Sequence, residues 1–323
     1  MNYMACRAGG CGPRCGLFPR RKRGLHARHG TRHRTEPIGR AMMENKSTGN
    51  SSGYPPATWR LISDAPASGA WNMAVDEALL ESAGRGDALP TLRLYDWQPA
   101  CLSLGYAQPL SDVDEGRLAK RGWEMVRRPT GGRAILHVDE LTYSVTGPAH
   151  EPRLAGDILT SYQRLSGAIL HALELLGLAV RAEPQAGAAN GTTLQPVCFE
   201  VPGHYEITFG GRKLVGSAQA RRKEGVLQHG TLPLHGDLTR ITDALAFESE
   251  ADRAAAAGRL LARAITVEAA LGRNVSWQEA AAAFGAAFSD RLNLTLQPGQ
   301  LTAAERARAE ELTATRYAQL ERG

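Results

Sequence analysis

The chain has 323 residues, 43% hydrophobic and 22% charged, a balance that excludes a collagen-like repeat, a chain disordered throughout and a disulfide mini-protein. Its net charge of +5 is unevenly placed: residues 1–56 hold 11 Lys or Arg against 2 acids, a net +9, so the remainder is −4. A basic excess confined to a separable segment without interleaved aromatics does not indicate nucleic acid. The apolar stretch 168–180 contains His171 and Glu174 and falls short of the roughly 20 residues of a membrane span, so no membrane partner is expected.

Cysteine is sparse outside that tail. Cys6, Cys11 and Cys15 lie within it and only Cys101 and Cys198 follow, which is no disulfide framework, and a cytoplasmic location is expected. Residues 1–56 show no helical or strand periodicity and read as a disordered basic tail. The gaps between its cysteines and His26, His29 and His33 miss the usual zinc spacings, so no metal is expected. A start at Met42 or Met43 and a transit peptide are alternative readings of the segment.

The folded body, 57–323, is expected to open on Trp59-Arg60-Leu61-Ile62 and an amphipathic helix over 70–83. Strands are expected at 91–96 and 101–105, a helix at 113–121, and strands at 124–127, 134–137 and 141–146. Apolar residues recurring from Ile158 to Leu176 predict a core-facing helix closed by Gly177. The small, polar run 186–195 reads as a mobile loop. Tyr205, Ile207 and Phe209 alternate, Gly210-Gly211 supplies a hairpin turn, and 212–220 runs back, followed by a strand at 225–234. From about residue 237 the pattern turns helical, over 251–271, 276–290 and 302–320. Mixed strands first and helices after argue an α+β fold in one main domain.

Two places can carry chemistry. The run Arg127-Arg128-Pro129-Thr130-Gly131-Gly132-Arg133 sets three guanidinium groups around two glycines, a loop able to hold an anion or let a ligand pass against the main chain. It lacks the Gly-Lys-Ser/Thr of a nucleotide loop, and taken alone it is a basic turn. Cys198, taken alone, is a small hydrophobe. Lys213, just past the Gly210-Gly211 turn, is directed by a hairpin toward the strand that Cys198 precedes. In an apolar pocket such a lysine can take the thiol proton; taken alone, it is an exposed hairpin lysine.

The loop 127–133 continues into Ala134-Ile135-Leu136-His137. With Glu140 to Val145, Cys198-Phe199, Tyr205-Glu206-Ile207, Gly211 to Gln219 and Leu227-Gln228-His229-Gly230, it resembles the lipoate/biotin protein ligase superfamily over about 57–320. Within it the chain is most similar to the cysteine-dependent octanoyltransferases of the LipM type. The resemblance implies mixed β-sheets with surrounding helices about an acyl tunnel, Cys198 as acyl-accepting thiol and Lys213 as base. It implies acyl-substrate binding by Arg128, Gly131, Gly132, Arg133, His137, Gly216 and Ser217. Arg127, Arg221, Arg222 and Lys223 would steer acidic partners.

The donor implied is octanoyl acyl carrier protein. The acceptor is a lipoyl carrier domain such as glycine cleavage H protein or a 2-oxo acid dehydrogenase E2. A monomer without cofactor is expected. The oxyanion donors stay open between main-chain N–H groups at 216–218 and those beside Cys198. Two departures from the family pattern are Val138 after His137, where an acid is common, and Arg316-Tyr317 without a following Trp. An ATP-dependent lipoate ligase, using ATP and Mg, is the alternative enzyme, and a silent carrier-binding homologue is the alternative from another class.

Overall fold

A computed structural model describes residues 53–183 and 206–318, with the backbone alone over 181–183. The tail with its cysteine and histidine spacing, the loop 186–195 and Cys198 lie outside the described residues. Eleven described strands form two sheets. The larger has the order β11-β1-β2-β6-β10-β9-β8-β7, from β11 (Leu294–Pro298), β1 (Ala57–Ser63), β2 (Thr91–Tyr95), β6 (Glu140–Gly147), β10 (Gly225–Pro233), β9 (Arg212–Arg222), β8 (Glu206–Phe209) and β7 (Arg181–Glu183). The smaller is β4 (Glu124–Arg127), β3 (Cys101–Leu104) and β5 (Ile135–His137). The fold is α+β, with β11, β1 and β2 parallel and the pairs from β2 to β10 and on to β7 antiparallel.

Alternation along the central strands sorts side chains onto two faces. Leu92, Leu94, Tyr143 and Val145 join Phe284 and Phe288 in the main core under α3 (Ile158–Leu175) and α6 (Trp277–Leu292). Arg93, Tyr95 and Ser144 face α1 (Gly69–Arg85) instead. Ser68 caps α1 at its start and Gly86, in the left-handed region, ends it. Behind α1, Ala309 and Leu312 of α7 (Ala303–Ala314) close a second cluster with Val75 and Leu79. Arg60 of β1 forms a buried, two-pronged pair with Glu305 that ties α7 to the sheet.

The hairpin from β8 to β9 turns on Gly210 and Gly211, whose φ values of 57° and 75° suit the right-handed twist of the strands. A register shift between Ile207 and Thr208 then breaks the ladder, so that Val215 faces Ile207 while Lys213 faces Thr208.

Several expectations are corrected. The helix over 251–271 is two, α4 (Glu250–Arg263) and α5 (Val267–Leu271), because Ala264 is extended and bridges Lys213 before Thr266 caps the next turn. The last helix ends at Ala314. The C-terminal region is not wholly helical, since β11 adds an edge strand parallel to β1, Ala57 opposite Leu294. Its signal was present: Leu292, Leu294 and Leu296 alternate with polar residues. The helix over 115–120, α2 (Glu115–Lys120), is shorter than expected, and α3 turns Ile158 and Leu159 to solvent, its core face starting at Leu165. Tyr54 and Pro55 already belong to the body, for Asn293 Nδ2 donates to the Tyr54 carbonyl at 2.9 Å and Arg153 to that of Pro55.

Candidate active site

The pocket lies where the two sheets meet. Met73 comes from α1, Tyr95 from β2 with Trp97 just beyond it, and Thr142 from β6. His229, Gly230 and Thr231 come from β10, and Gly216, Ser217 and Ala218 from β9; the small-sheet side supplies Arg128, Gly132, Ile135 and His137. These walls enclose about 440 Å³ of empty space, part of it open to solvent, within the range of small-molecule sites. Apolar walls with a few convergent polar groups suit a chain carrying one polar head.

The Gly-rich loop is bound inward. Arg128, buried, donates from Nη1 to the Ser103 carbonyl and hydroxyl, each at 3.0 Å, and from Nη2 to the carbonyls of Gly131 at 2.9 Å and Arg133 at 2.7 Å. Gly132 adopts φ 94°, and its carbonyl crosses so close to Gly105 that a Cβ there would lie 1.9 Å away.

Two carboxylate–histidine–hydroxyl chains reach this loop. In the first, Asp76 accepts from Arg93 Nη1 at 3.0 Å, Tyr95 at 3.0 Å, Ser144 at 2.7 Å and His229 Nδ1 at 3.3 Å. His229 Nε2 meets the Thr130 hydroxyl at 2.7 Å. Burial alone would raise the Asp76 carboxyl, but the His229 bond and the Arg93 charge outweigh it and hold it below the usual range. Burial pushes His229 down against the pull of Asp76, so the ring is neutral near pH 7, donating from Nδ1 and accepting at Nε2.

In the second chain Glu140 Oε1 accepts from His137 Nδ1 at 2.7 Å and from Thr142 at 2.5 Å. His137 Nε2 lies 2.7 Å from the Ser103 hydroxyl that Arg128 holds. The His137 ring stacks on Trp97, centroids 3.9 Å apart and planes within 11°.

The expected site residues therefore divide. Arg128, Gly132, His137, Gly216 and Ser217 line one pocket. Gly131 and Arg133 do not line it; their carbonyls serve Arg128. Lys213 lies on the same strand as Gly216 but outside the lining. It is buried rather than exposed, and its Nζ is 2.9 Å from Glu206 Oε1.

The steering set is largely engaged within the fold. Arg127 Nη1 donates to the carbonyls of Gly105, Tyr106 and Gln108. Arg221 donates to the Leu154 carbonyl at 2.8 Å and to Ser161, and Arg222 pairs with Glu77 at 3.1 Å. Lys223 is exposed. Asp76, Thr130, Thr231 and His229 had no role legible in the sequence, although Thr130 and His229 stand within its motifs. Cys101 is buried, and burial, reinforced by Glu124, pushes its thiol up, against any role as nucleophile. Among the described residues no group of acids, histidines and cysteines could hold a metal, and no helix is long and apolar enough to cross a membrane.

Comparison with known proteins agrees with this architecture. Residues 68–289 match the lipoyl protein ligase A/B catalytic domain. Octanoyltransferase LipM of Symbiobacterium thermophilum is 39% identical over 265 residues, 80% of this chain and 95% of its own. The Staphylococcus aureus LipM is 34% identical over 79% and 95%. Among solved structures, a bipartite lipoate protein ligase of Thermoplasma acidophilum, described with its E2 lipoyl domain, superposes with a TM-score of 0.69 at 26% identity, covering 82% of this chain and 96% of that one. A lipoate-protein ligase A bound with ATP gives 0.67 at 27% identity, covering 82% and 97%. The chain belongs to the lipoyl protein ligase A/B catalytic domain family and is an acyltransferase of that family.

Proposed function

We propose that the protein moves an octanoyl group from acyl carrier protein to a lysine of a lipoyl carrier domain through a thioester on Cys198, without ATP or another cofactor, as a cytoplasmic monomer. The observation that carries this reading is the largely apolar pocket at the meeting of the sheets, together with relatives named octanoyltransferase over most of the chain. The Cys198 thiolate adds to the thioester carbonyl, the donor thiol leaves, and the acceptor amine then displaces the enzyme sulfur. Thioester exchange is nearly isoenergetic and calls for no activation. Lys213, oriented by Glu206, carries the proton from the attacking thiol and then from the amine. Lys223 is the steering cation that remains exposed.

Wild-type protein given octanoyl acyl carrier protein without ATP gains one octanoyl mass that hydroxylamine releases. Cys198→Ser gains none through a thioester, because its hydroxyl ionises far less readily than a thiol of pKa about 8.5, and Cys101→Ser behaves as wild type. Lys213→Ala slows transfer about 10²- to 10⁴-fold, and Lys213→Arg fails to restore it, since guanidinium stays protonated. Full carrier octanoylation by Cys198→Ala would overturn the mechanism. The likeness to a ligase bound with ATP favours, as second reading, an ATP-dependent ligase. An absolute need for ATP, with no acyl-protein mass, would establish it.

A further inference from the structure

A buried hydroxyl in the pocket wall has no partner. Thr231 is 1% exposed and lines the pocket, yet among the described residues its Oγ1 makes no hydrogen bond. Alternation along β10 places it with His229 on the pocket side, while Gln228 and Leu232 face the other way, toward Tyr143 and the main core. Its cross-strand neighbours are Thr142 on β6 and Gly216 on β9. The Thr142 hydroxyl is already committed, accepting from Trp97 Nε1 at 2.8 Å and donating to Glu140. Gly216 has no side chain to cover the Thr231 hydroxyl. An unpaired buried hydroxyl lowers stability, and such a group calls for an explanation.

Resting on the octanoyl-transfer reading, we infer that Thr231 is a catalytic residue whose hydroxyl donates to the acyl carbonyl oxygen. An octanoyl chain is hydrocarbon throughout except at its carbonyl, so that oxygen is the one hydrogen-bonding group it brings into this pocket. As the nucleophile adds, the carbonyl π electrons move onto oxygen and the Thr231 O–H bond points at the developing charge. The hydroxyl keeps its proton throughout. When the carbonyl re-forms, the electron pair returns and the leaving thiolate departs, so nothing is consumed. A donor left unpaired before the ligand arrives needs no bond broken to reach the oxyanion, and so favours the transition state over the free enzyme.

The test uses Thr231→Val, Thr231→Ser and a control built into the fold. Thr146 Oγ1 is equally buried and unpaired but does not line the pocket. Replacing either threonine by valine removes an unsatisfied hydroxyl at nearly constant shape, so both variants should melt at or above the wild-type temperature without ligand. Thr231→Val should lose about 10²- to 10³-fold in kcat for octanoyl transfer, the usual effect of removing one oxyanion donor, with little change in KM. Thr231→Ser should recover most of it, and Thr146→Val should turn over normally. Wild-type turnover by Thr231→Val, or a loss in KM alone, would overturn the inference. So would a Thr231→Val melting point well below that of Thr146→Val, which would mark the hydroxyl as paired and structural. If the wild type itself transfers no octanoyl group, the functional reading fails first, and the melting comparison still tests whether the hydroxyl is unpaired.

Discussion

On the large-sheet wall of the pocket, His229 leans on a carboxylate that also neutralises a fully buried guanidinium, Arg93, itself shared with Asp64 at 2.7 Å. From the small-sheet wall, His137 leans across to Glu140 of β6, a carboxylate whose other Oε1 donor is the hydroxyl of Thr142, and the nearby cation, Arg128, bonds to Ser103 and to loop carbonyls. The same carboxylate–histidine–hydroxyl pattern thus rests on a buried carboxylate–guanidinium pair at His229 and on a second hydroxyl at His137. Breaking a buried ion pair leaves an uncompensated charge, whereas losing a neutral partner leaves a dipole. The walls should therefore differ more in stability than their geometry suggests.

Asp76→Ala should produce the largest effect. It leaves the Arg93 guanidinium with the half-buried Asp64, so the loss should sit near the lower end for a broken buried pair, about 3 kcal/mol. Glu140→Ala should cost about 1–2 kcal/mol, since the groups it abandons are an imidazole and a hydroxyl. Urea unfolding of the two variants decides the matter, and equal losses would break the contrast.

Acid titration sharpens the contrast. His229 titrates lower in the fold than in the unfolded chain, so the unfolded state binds more protons and stability falls as pH drops from about 6.5 through the folded value. Asp76 is also depressed, so its contribution is present above the unfolded carboxyl pKa, about 3.9, and disappears as pH falls from there through the folded value. His229→Gln should flatten the first window and Asp76→Asn the second, in unfolding free energies measured against pH. A slope between pH 6.5 and 5 unchanged in His229→Gln would remove His229 as its source.

Why the sequence disclosed one part of this site and not the other follows from what each part depends on. The Gly-rich loop, Lys213 and the β9 residues Gly216 and Ser217 stand in contiguous motifs, and strands such as Glu124–Arg127 follow from local composition. Asp76 was silent because its partners lie 17, 68 and 153 residues away, at Arg93, Ser144 and His229, and no local spacing records those contacts. Thr231 was silent for the opposite reason, since what marks it is the lack of a partner. The partners of the steering arginines were not legible because charge in a sequence says nothing of commitment: Arg127 and Arg221 bond to backbone carbonyls. The strand β11 was overlooked because two helical patterns flank it, although its alternating leucines were visible.

Thr130→Val tests how firmly the large-sheet wall holds the loop. It removes the hydroxyl that meets His229 Nε2 while keeping the side-chain shape. One buried hydrogen bond corresponds to about 1 kcal/mol, and here the loss should be local. Amide exchange at Gly131 and Gly132 should quicken about fivefold, while the core strands exchange as before. Thr130→Ser should restore protection. Exchange unchanged in the valine variant would leave Arg128 as the anchor that matters, and would shift the hold on the loop to the small-sheet wall.

The smallest effect is expected behind α1. Glu77, next to Asp76, accepts from the Tyr317 hydroxyl at 2.6 Å and pairs with Arg316 at 2.5 Å and Arg222 at 3.1 Å. The Tyr317 ring packs against the cluster that includes Met73, Tyr95 and Trp97, three residues of the pocket wall. Burial first, and the Glu77 carboxylate second, push the Tyr317 hydroxyl up, so it remains a donor at any workable pH. Tyr317→Phe keeps the ring and leaves Glu77 its two guanidinium partners, so stability should fall by only about 0.5 kcal/mol and octanoyl transfer should be unchanged. Tyr317→Ala should lose more, through the packing behind Met73, and raise KM before it lowers kcat. If the phenylalanine variant loses as much as the alanine variant, it is the hydrogen bond and not the ring that braces this wall, and the large-sheet side is held by polar bonds even where it faces outward.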